Sequence, residues 1–322
     1  MSEKQVAVGV DVGGTTFSVA LVNRQGEILF LDESETLAEQ GAEAVVERII
    51  ASIRRLLDKA AVDPASLAGI GMGIPGLHDR ERGVVLTSPN LKWENMPIRD
   101  RVCSAVDTRF YMDGDVRVAA IGERYFGAAA DCDNFIFVTL GTGIGSGIFI
   151  DGRLYRGPNG YAGEVGHQTI VENGPQCGCG NYGCVEALAG NKGIIERARQ
   201  ALQNEQAPVL MKEIDGDISR ITPAALYRAA VAGCSLSRRV LADTGRYVGT
   251  AMANLVNVLN PQRIIIGGGV AQAGDMILGP LRDTIKERAM GPNAETVEVV
   301  PAGLGNKAGV LGAASMALFD LS

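Results

Sequence analysis

Val6-Ala7-Val8-Gly9-Val10-Asp11-Val12-Gly13-Gly14-Thr15-Thr16-Phe17-Ser18-Val19-Ala20-Leu21-Val22 opens the chain with an apolar alternating run, a glycine turn and a second apolar run. Period-two alternation broken by adjacent glycines reads as strand, tight turn, strand. A third strand, about Ile28 to Leu31, follows the Gln25-Gly26 turn and completes an antiparallel meander. Val45, Val46, Ile49, Ile50, Ile53, Leu56 and Leu57 then recur at helical spacing, and Leu67 to Ile74 reads as a buried strand ending in Gly73-Ile74-Pro75-Gly76. Strand, glycine turn and strand recur at Phe135 to Leu140, Gly141-Thr142-Gly143-Ile144-Gly145 and Ser146 to Ile150, which suggests an internal duplication. Helices are predicted at about Val185 to Gln203, Pro223 to Ala232 and Ser235 to Leu259, and a last one at Ala308 to Phe319. Arg263 to Ile266 is an apolar strand that runs into Gly267-Gly268-Gly269. The expected architecture is two α/β domains facing one another across a cleft: residues 1–116, then 117–303, with 304–322 packing back on the first.

A length of 322 residues exceeds what one typical core covers and suits two domains. Hydrophobic residues make up 46% and charged residues 21%, and no stretch has the ~20 unbroken apolar residues of a membrane helix. The first residues show no basic head, apolar core and cleavage site of an export signal, so the expected location is the cytoplasm. A net charge of −7 argues against nucleic-acid binding, which needs clustered Lys and Arg to displace phosphate counterions.

The glycine turns are the first chemical signal. Glycine lets backbone N–H groups converge on an anion, because no Cβ keeps phosphate oxygens away. Each turn taken alone reads first as a hairpin connection. Two at equivalent points of a repeat, with Gly267-Gly268-Gly269 after a strand, point to a split nucleotide site. Neither is a Walker or Rossmann loop, since no Gly-Lys-Ser/Thr occurs and a strand follows each turn.

Of six cysteines, Cys177, Cys179 and Cys184 lie in one short segment, and His167 precedes them closely. A lone histidine is usually a satisfied core residue. Three thiols and an imidazole make a Cys₃His set, the donor combination of closed, tetrahedral structural Zn²⁺ sites. Such an ion would hold one ring nitrogen of His167 and aim the other at a ligand. Asp115, at the start of a predicted helix, reads from sequence alone as an N-cap.

Asp11 to Thr16, Gly141 to Gly145 and Gly267 to Val270 resemble the two phosphate loops and the adenosine motif of the actin, hexokinase and Hsp70 superfamily. Glu164-Val165-Gly166-His167 and Cys177-Gly178-Cys179-Gly180-Asn181-Tyr182-Gly183-Cys184-Val185-Glu186 resemble the two signature segments of its ROK family, and most closely those of the bacterial glucokinases. The resemblance covers nearly the whole chain. It implies two actin-like, ribonuclease H-like α/β domains with a small zinc-binding insertion, and an ATP-dependent kinase acting on the 6-hydroxyl of glucose or of another hexose or N-acetylhexosamine.

Carried over residue by residue, the resemblance makes Asp115 the general base. Gly76, Asn90, Glu164, His167 and Glu186 become sugar contacts together with Asp115. Asp11, Gly13, Gly14, Thr15, Thr16, Gly141, Thr142, Gly143, Gly145, Gly267, Gly268 and Gly269 become the ATP site. Asp11 is expected to orient Mg²⁺ through water, and a homodimer is implied. Asp113 is a reserve candidate for the base. Two positions depart from the family pattern: Gly114 and Arg117 stand where it has asparagines, which leaves the preferred sugar open. ADP or polyphosphate as donor, and a non-catalytic sugar sensor, remain alternatives. A repressor of the same family carries a helix-turn-helix segment first, for which a strand beginning by Gln5 leaves no room.

Overall fold

The structure, a computed structural model, describes residues 5–321. The chain forms two compact units, the first containing residues up to Asp131 and again from Gly303, the second running from Cys132 to Ala302.

In the first unit, β1 (Val6–Val12) and β2 (Thr16–Asn23) form the expected hairpin with Val12 opposite Phe17, and β3 (Ile28–Glu35) extends it. The parallel strand β4 (Ile70–Ile74) pairs with β1 on one side and with the last strand, Phe110–Gly114, on the other. The helix α1 (Ala42–Ala60) buries Val45, Val46, Ile49, Ile50, Ile53, Leu56 and Leu57, one apolar stripe. These side chains join Val8, Val10, Val19 and Met72 in a common core.

On the core formed by Ala7, Ala20 and Val22 lies the C-terminal helix Ala308–Leu318, every residue of which is buried. Glycines permit this approach. A Cβ at Gly9 would collide with the Val310 carbonyl, and one at Gly71 with the Ala313 carbonyl.

Between β4 and the last strand, the sequence reading saw only turns. The chain there builds a small antiparallel sheet of β5 (Leu77–Asp79), β6 (Val84–Ser88) and β7 (Trp93–Met96), followed by α2 (Ile98–Ala105). These strands are short and one pairing is irregular, so they carry little periodicity. The strand Phe110–Gly114, now β8, leads straight into α3 (Asp115–Phe126).

The boundary expected near residue 116 is corrected, because α3 belongs to the first unit. Gly122 and Gly312 let α3 and the C-terminal helix touch backbone to backbone. Glu123, wholly buried, then accepts hydrogen bonds from the N–H groups of Ala128 (2.7 Å), Gly303 (3.1 Å) and Leu304 (2.9 Å). One carboxylate thereby fixes both segments by which the chain leaves and re-enters this unit. Those two ties hold the chain in the first unit beyond α3.

The second unit repeats the plan. β9 (Phe135–Leu140), β10 (Ile144–Ile150) and β11 (Arg153–Leu154) form the antiparallel part, and β12 (Arg263–Gly267) and β13 (Glu298–Pro301) add parallel strands. Strand order in both sheets is hairpin edge, hairpin, first strand, then two parallel strands. The helix expected over Val185 to Gln203 is two helices, α4 (Val185–Ala189) and α5 (Asn191–Asn204), broken at the extended Gly190. Smaller helices α6 (Pro208–Glu213) and α7 (Pro223–Val231) precede α8 (Ser235–Leu259), which packs on α9 (Asp275–Arg288). α9 escaped the sequence reading because Gly279 and Pro280 interrupt it, and α10 (Gly291–Thr296) is shorter still.

Candidate active site and metal centre

In the first unit, the candidate residues gather at the carboxyl ends of parallel strands, where open α/β sheets bind ligands. Asp11 is near the end of β1, opposite Gly73 of β4, and Gly73 lies opposite Asp113 of β8. Gly13 to Thr16 form the hairpin turn, closed by a bond from the Gly13 N–H to the Thr16 carbonyl (2.9 Å). Gly14, Thr15 and Thr16 are exposed, as an anion nest must be. Thr36 holds this turn from behind: its hydroxyl donates to the Gly13 carbonyl (2.7 Å) and its N–H to the Thr15 carbonyl (2.8 Å). Sequence reasoning missed Thr36, whose only signal is a buried threonine after a strand.

Asn90 is exposed beside this turn, its Cβ 3.5 Å from where a Gly14 Cβ would stand. Gly76 has φ +120, and any side chain there would strike the Thr87 carbonyl, so the turn glycine is required sterically.

Asp115 is the first residue of α3, while the N-cap position belongs to Gly114. The capping reading of Asp115 is therefore not realised. Its Oδ1 accepts from the Val116 N–H (2.9 Å). Burial, with the nearby charge of Asp115 adding to it, pushes Asp11 up to about 7. Asp11 also abuts Gly309 in the first turn of the C-terminal helix, where a Cβ would strike its carboxylate.

The reserve candidate Asp113 is 1% exposed and paired with Arg80 (Nε, 3.3 Å) and Arg117 (Nη1, 3.5 Å). Both its oxygens are thus engaged by guanidiniums, and Asp113 has a structural part in the fold. Arg117, one of the two departures from the family pattern, thus has a local reason.

In the second unit, the Gly141 N–H donates to the Gly143 carbonyl (3.0 Å), and the Gly141 carbonyl accepts from Asn191 at the start of α5 (3.0 Å). Gly268 has φ +87, and a side chain there would strike the Leu140 carbonyl, one residue before this turn. Gly267-Gly268-Gly269 and Gly141 to Gly145 are therefore neighbours. Asn191, whose buried Oδ1 has no partner, is a second residue that sequence reasoning missed.

His167, Cys177, Cys179 and Cys184 do come together. One ligand atom from each lies within 4.8 Å of the others, with His167 Nδ1 3.6 Å from Cys177 Sγ and Cys179 Sγ 3.8 Å from Cys184 Sγ. His167 turns Nδ1 toward the thiols, which leaves Nε2 for another partner. A tight loop makes the cluster: the Cys177 N–H bonds to the Asn181 carbonyl (2.8 Å), and Thr169 bridges to Cys184. Burial pushes the Cys184 thiol up to about 12. A divalent cation reverses that cost by binding the thiolate, so the donor set fits a tetrahedral metal ion.

Glu186 connects this cluster to the glycine turn. Its Oε2 accepts from the Ile144 N–H (3.0 Å), and its Oε1 is 3.7 Å from Cys177 Sγ. Glu164 is exposed at the start of a short 3₁₀ turn, Val165–His167. Among the described residues no helix is long and apolar enough to cross a membrane.

The profile of the ROK family matches residues 7–319. The glucokinase of Thermotoga maritima is 36% identical over 310 residues, which cover 96% of each chain. The xylose repressor of Caldicellulosiruptor bescii is 32% identical over 98% of this chain and 78% of its own length. A ROK family glucokinase from Streptomyces griseus, solved with glucose and AMPPNP, superposes with a TM-score of 0.82 at 33% identity, over 97% of this chain and 98% of that one. The fold is the actin-like ATPase fold of the ROK kinases.

Proposed function

The chain belongs to the ROK family, and from that premise we propose that it is an ATP-dependent sugar kinase that phosphorylates the 6-hydroxyl of glucose. The observation that carries the reading is the pair Asp11 and Asp115 at strand ends beside an exposed glycine turn, close enough for one charge to shift the other. Two carboxylates so placed divide naturally into a cation holder and a proton acceptor.

Asp115 accepts the proton of the 6-hydroxyl as that oxygen attacks the γ-phosphorus in line. The bond to the β-phosphate oxygen breaks and ADP leaves. The N–H groups of Gly13, Gly14, Thr15 and Thr16, and those of Gly141, Thr142, Gly143 and Gly145, bear phosphate charge, and Gly267, Gly268 and Gly269 take the adenosine. Mg²⁺, when bound near Asp11, supplies the remaining positive charge. Gly76, Asn90, Glu164 and His167 through Nε2 contact the sugar. Glu186 keeps lone pairs for a sugar hydroxyl besides its bond to Ile144. His167, Cys177, Cys179 and Cys184 would hold Zn²⁺ as a structural clasp. The enzyme acts in the cytoplasm as a homodimer.

The test is sugar-phosphate formation with Mg-ATP, ADP or polyphosphate as donor, on glucose, mannose, fructose, allose, N-acetylglucosamine and N-acetylmannosamine. ATP with glucose is expected to give the highest kcat/KM. Another preferred sugar would correct the acceptor alone. Sugar binding with no turnover on any donor would favour a sensor or regulator, the reading that the xylose repressor's similarity keeps in view.

A further inference from the structure

Gly114 places no side chain in the space its Cα faces, directly before Asp115. Apart from the chain neighbours of Gly114, the heavy atom that approaches the position of a Cβ there among the described residues is Cε1 of His78, at 3.9 Å. His78, one of two histidines in the chain, lies on β5, within electrostatic reach of Arg80, Arg117 and Asp113. Its Nε2 is buried and has no hydrogen-bond partner.

A buried polar atom left unpaired is destabilising, and in a native protein it has a reason. Resting on the kinase reading, we propose that His78, through Nε2, accepts a hydrogen bond from a hydroxyl of the sugar that lies against Gly114, making it a specificity-determining residue for the acceptor.

Three features define the chemistry. The imidazole bonds to the Ile74 backbone in the sense that favours its proton, so the ring's N–H is spent on a carbonyl and Nε2 presents a lone pair. Burial drives His78 down to about 4, and Arg117 and Arg80 add to this against the opposing Asp113, so the ring is neutral at physiological pH. A neutral acceptor among cations selects an uncharged donor, a hydroxyl, and gives an anion nothing to bind. Gly114 puts no side chain against the Cε1 edge of the ring, the edge that adjoins Nε2. A site built to bind a hydroxyl discriminates strongly against the analogue lacking it, because the site's own polar atom is then stranded.

The experiment compares kcat/KM for glucose and the monodeoxyglucoses in the wild type, in His78→Phe and in His78→Gln. The wild type is expected to disfavour one deoxy sugar by about 100-fold, through KM. In His78→Phe that sugar and glucose become equivalent, with KM for ATP unchanged, and His78→Gln, which keeps an acceptor, restores part of the discrimination. Unchanged sugar KM and unchanged discrimination in both variants overturn the proposal and give Nε2 to a buried water. Should His78→Phe fail to fold, the His78→Gln pattern decides: reduced discrimination supports the proposal and wild-type values overturn it. If the wild type turns over no sugar, the kinase reading fails separately, and calorimetric binding of the same sugars to the same variants still decides the role of His78.

Discussion

Asp11 shows what single residues contribute and cost. Its ordinary value is 3.8 and burial beside Asp115 raises it to about 7. Between those values the unfolded chain releases a proton that the folded protein keeps. The folded state therefore loses stability as pH rises from about 4 to 7 and carries the whole penalty above. Asp11→Asn removes the charge, so in Mg²⁺-free protein it is expected to raise Tm at pH 8 by on the order of 5 °C and to leave Tm at pH 4 unchanged. Equal Tm values at pH 8 would contradict this. At this scale the sequence showed the residue types and spacing of the metal cluster, because a Cys₃His set is written locally. It did not show Thr36, His78 or Asn191. Their roles depend on partners from distant segments, or on the lack of one, and a single buried threonine or histidine has no pattern.

Elements were legible where a periodicity or a paired glycine announced them. The two hairpins, α1, α8 and the C-terminal helix lie close to where alternation or helical spacing put them. β5 to β7 and α9 were not legible, since strands of three to five residues hold barely one alternation and a proline masks a helix. The metal loop of residues 167–184 is an element in the same sense. It has almost no regular structure, and its order rests on backbone bonds such as Ile170 N–H to the Gly183 carbonyl (2.9 Å) and on its four donors. Cys179 is exposed, so Cys179→Ser removes a ligand without emptying a core site. Purified protein is expected to contain about one Zn²⁺ per chain. The variant should lose the ion and on the order of 10 °C in Tm. Metal-free protein of undiminished stability would contradict the assignment.

For the whole molecule, the recurrence of strand, glycine turn and strand signalled two units of one design, and both sheets have the same strand order. The boundary was misplaced because the sequence does not reveal that α3 is fastened to the C-terminal helix, nor that Glu123 ties the segments at Ala128 and Gly303. The tie from Glu123 to Gly303 joins residues 180 positions apart. The proposed function rests on the first unit's strand ends, and its central claim is that Asp115 is the base of phosphoryl transfer. The most direct measurement is turnover of Asp115→Asn with Mg-ATP and the preferred sugar, alongside calorimetric sugar affinity. The account predicts a loss of about 1000-fold or more in kcat with sugar binding retained. An Asp115→Asn protein that phosphorylates sugar at close to the wild-type rate would contradict it.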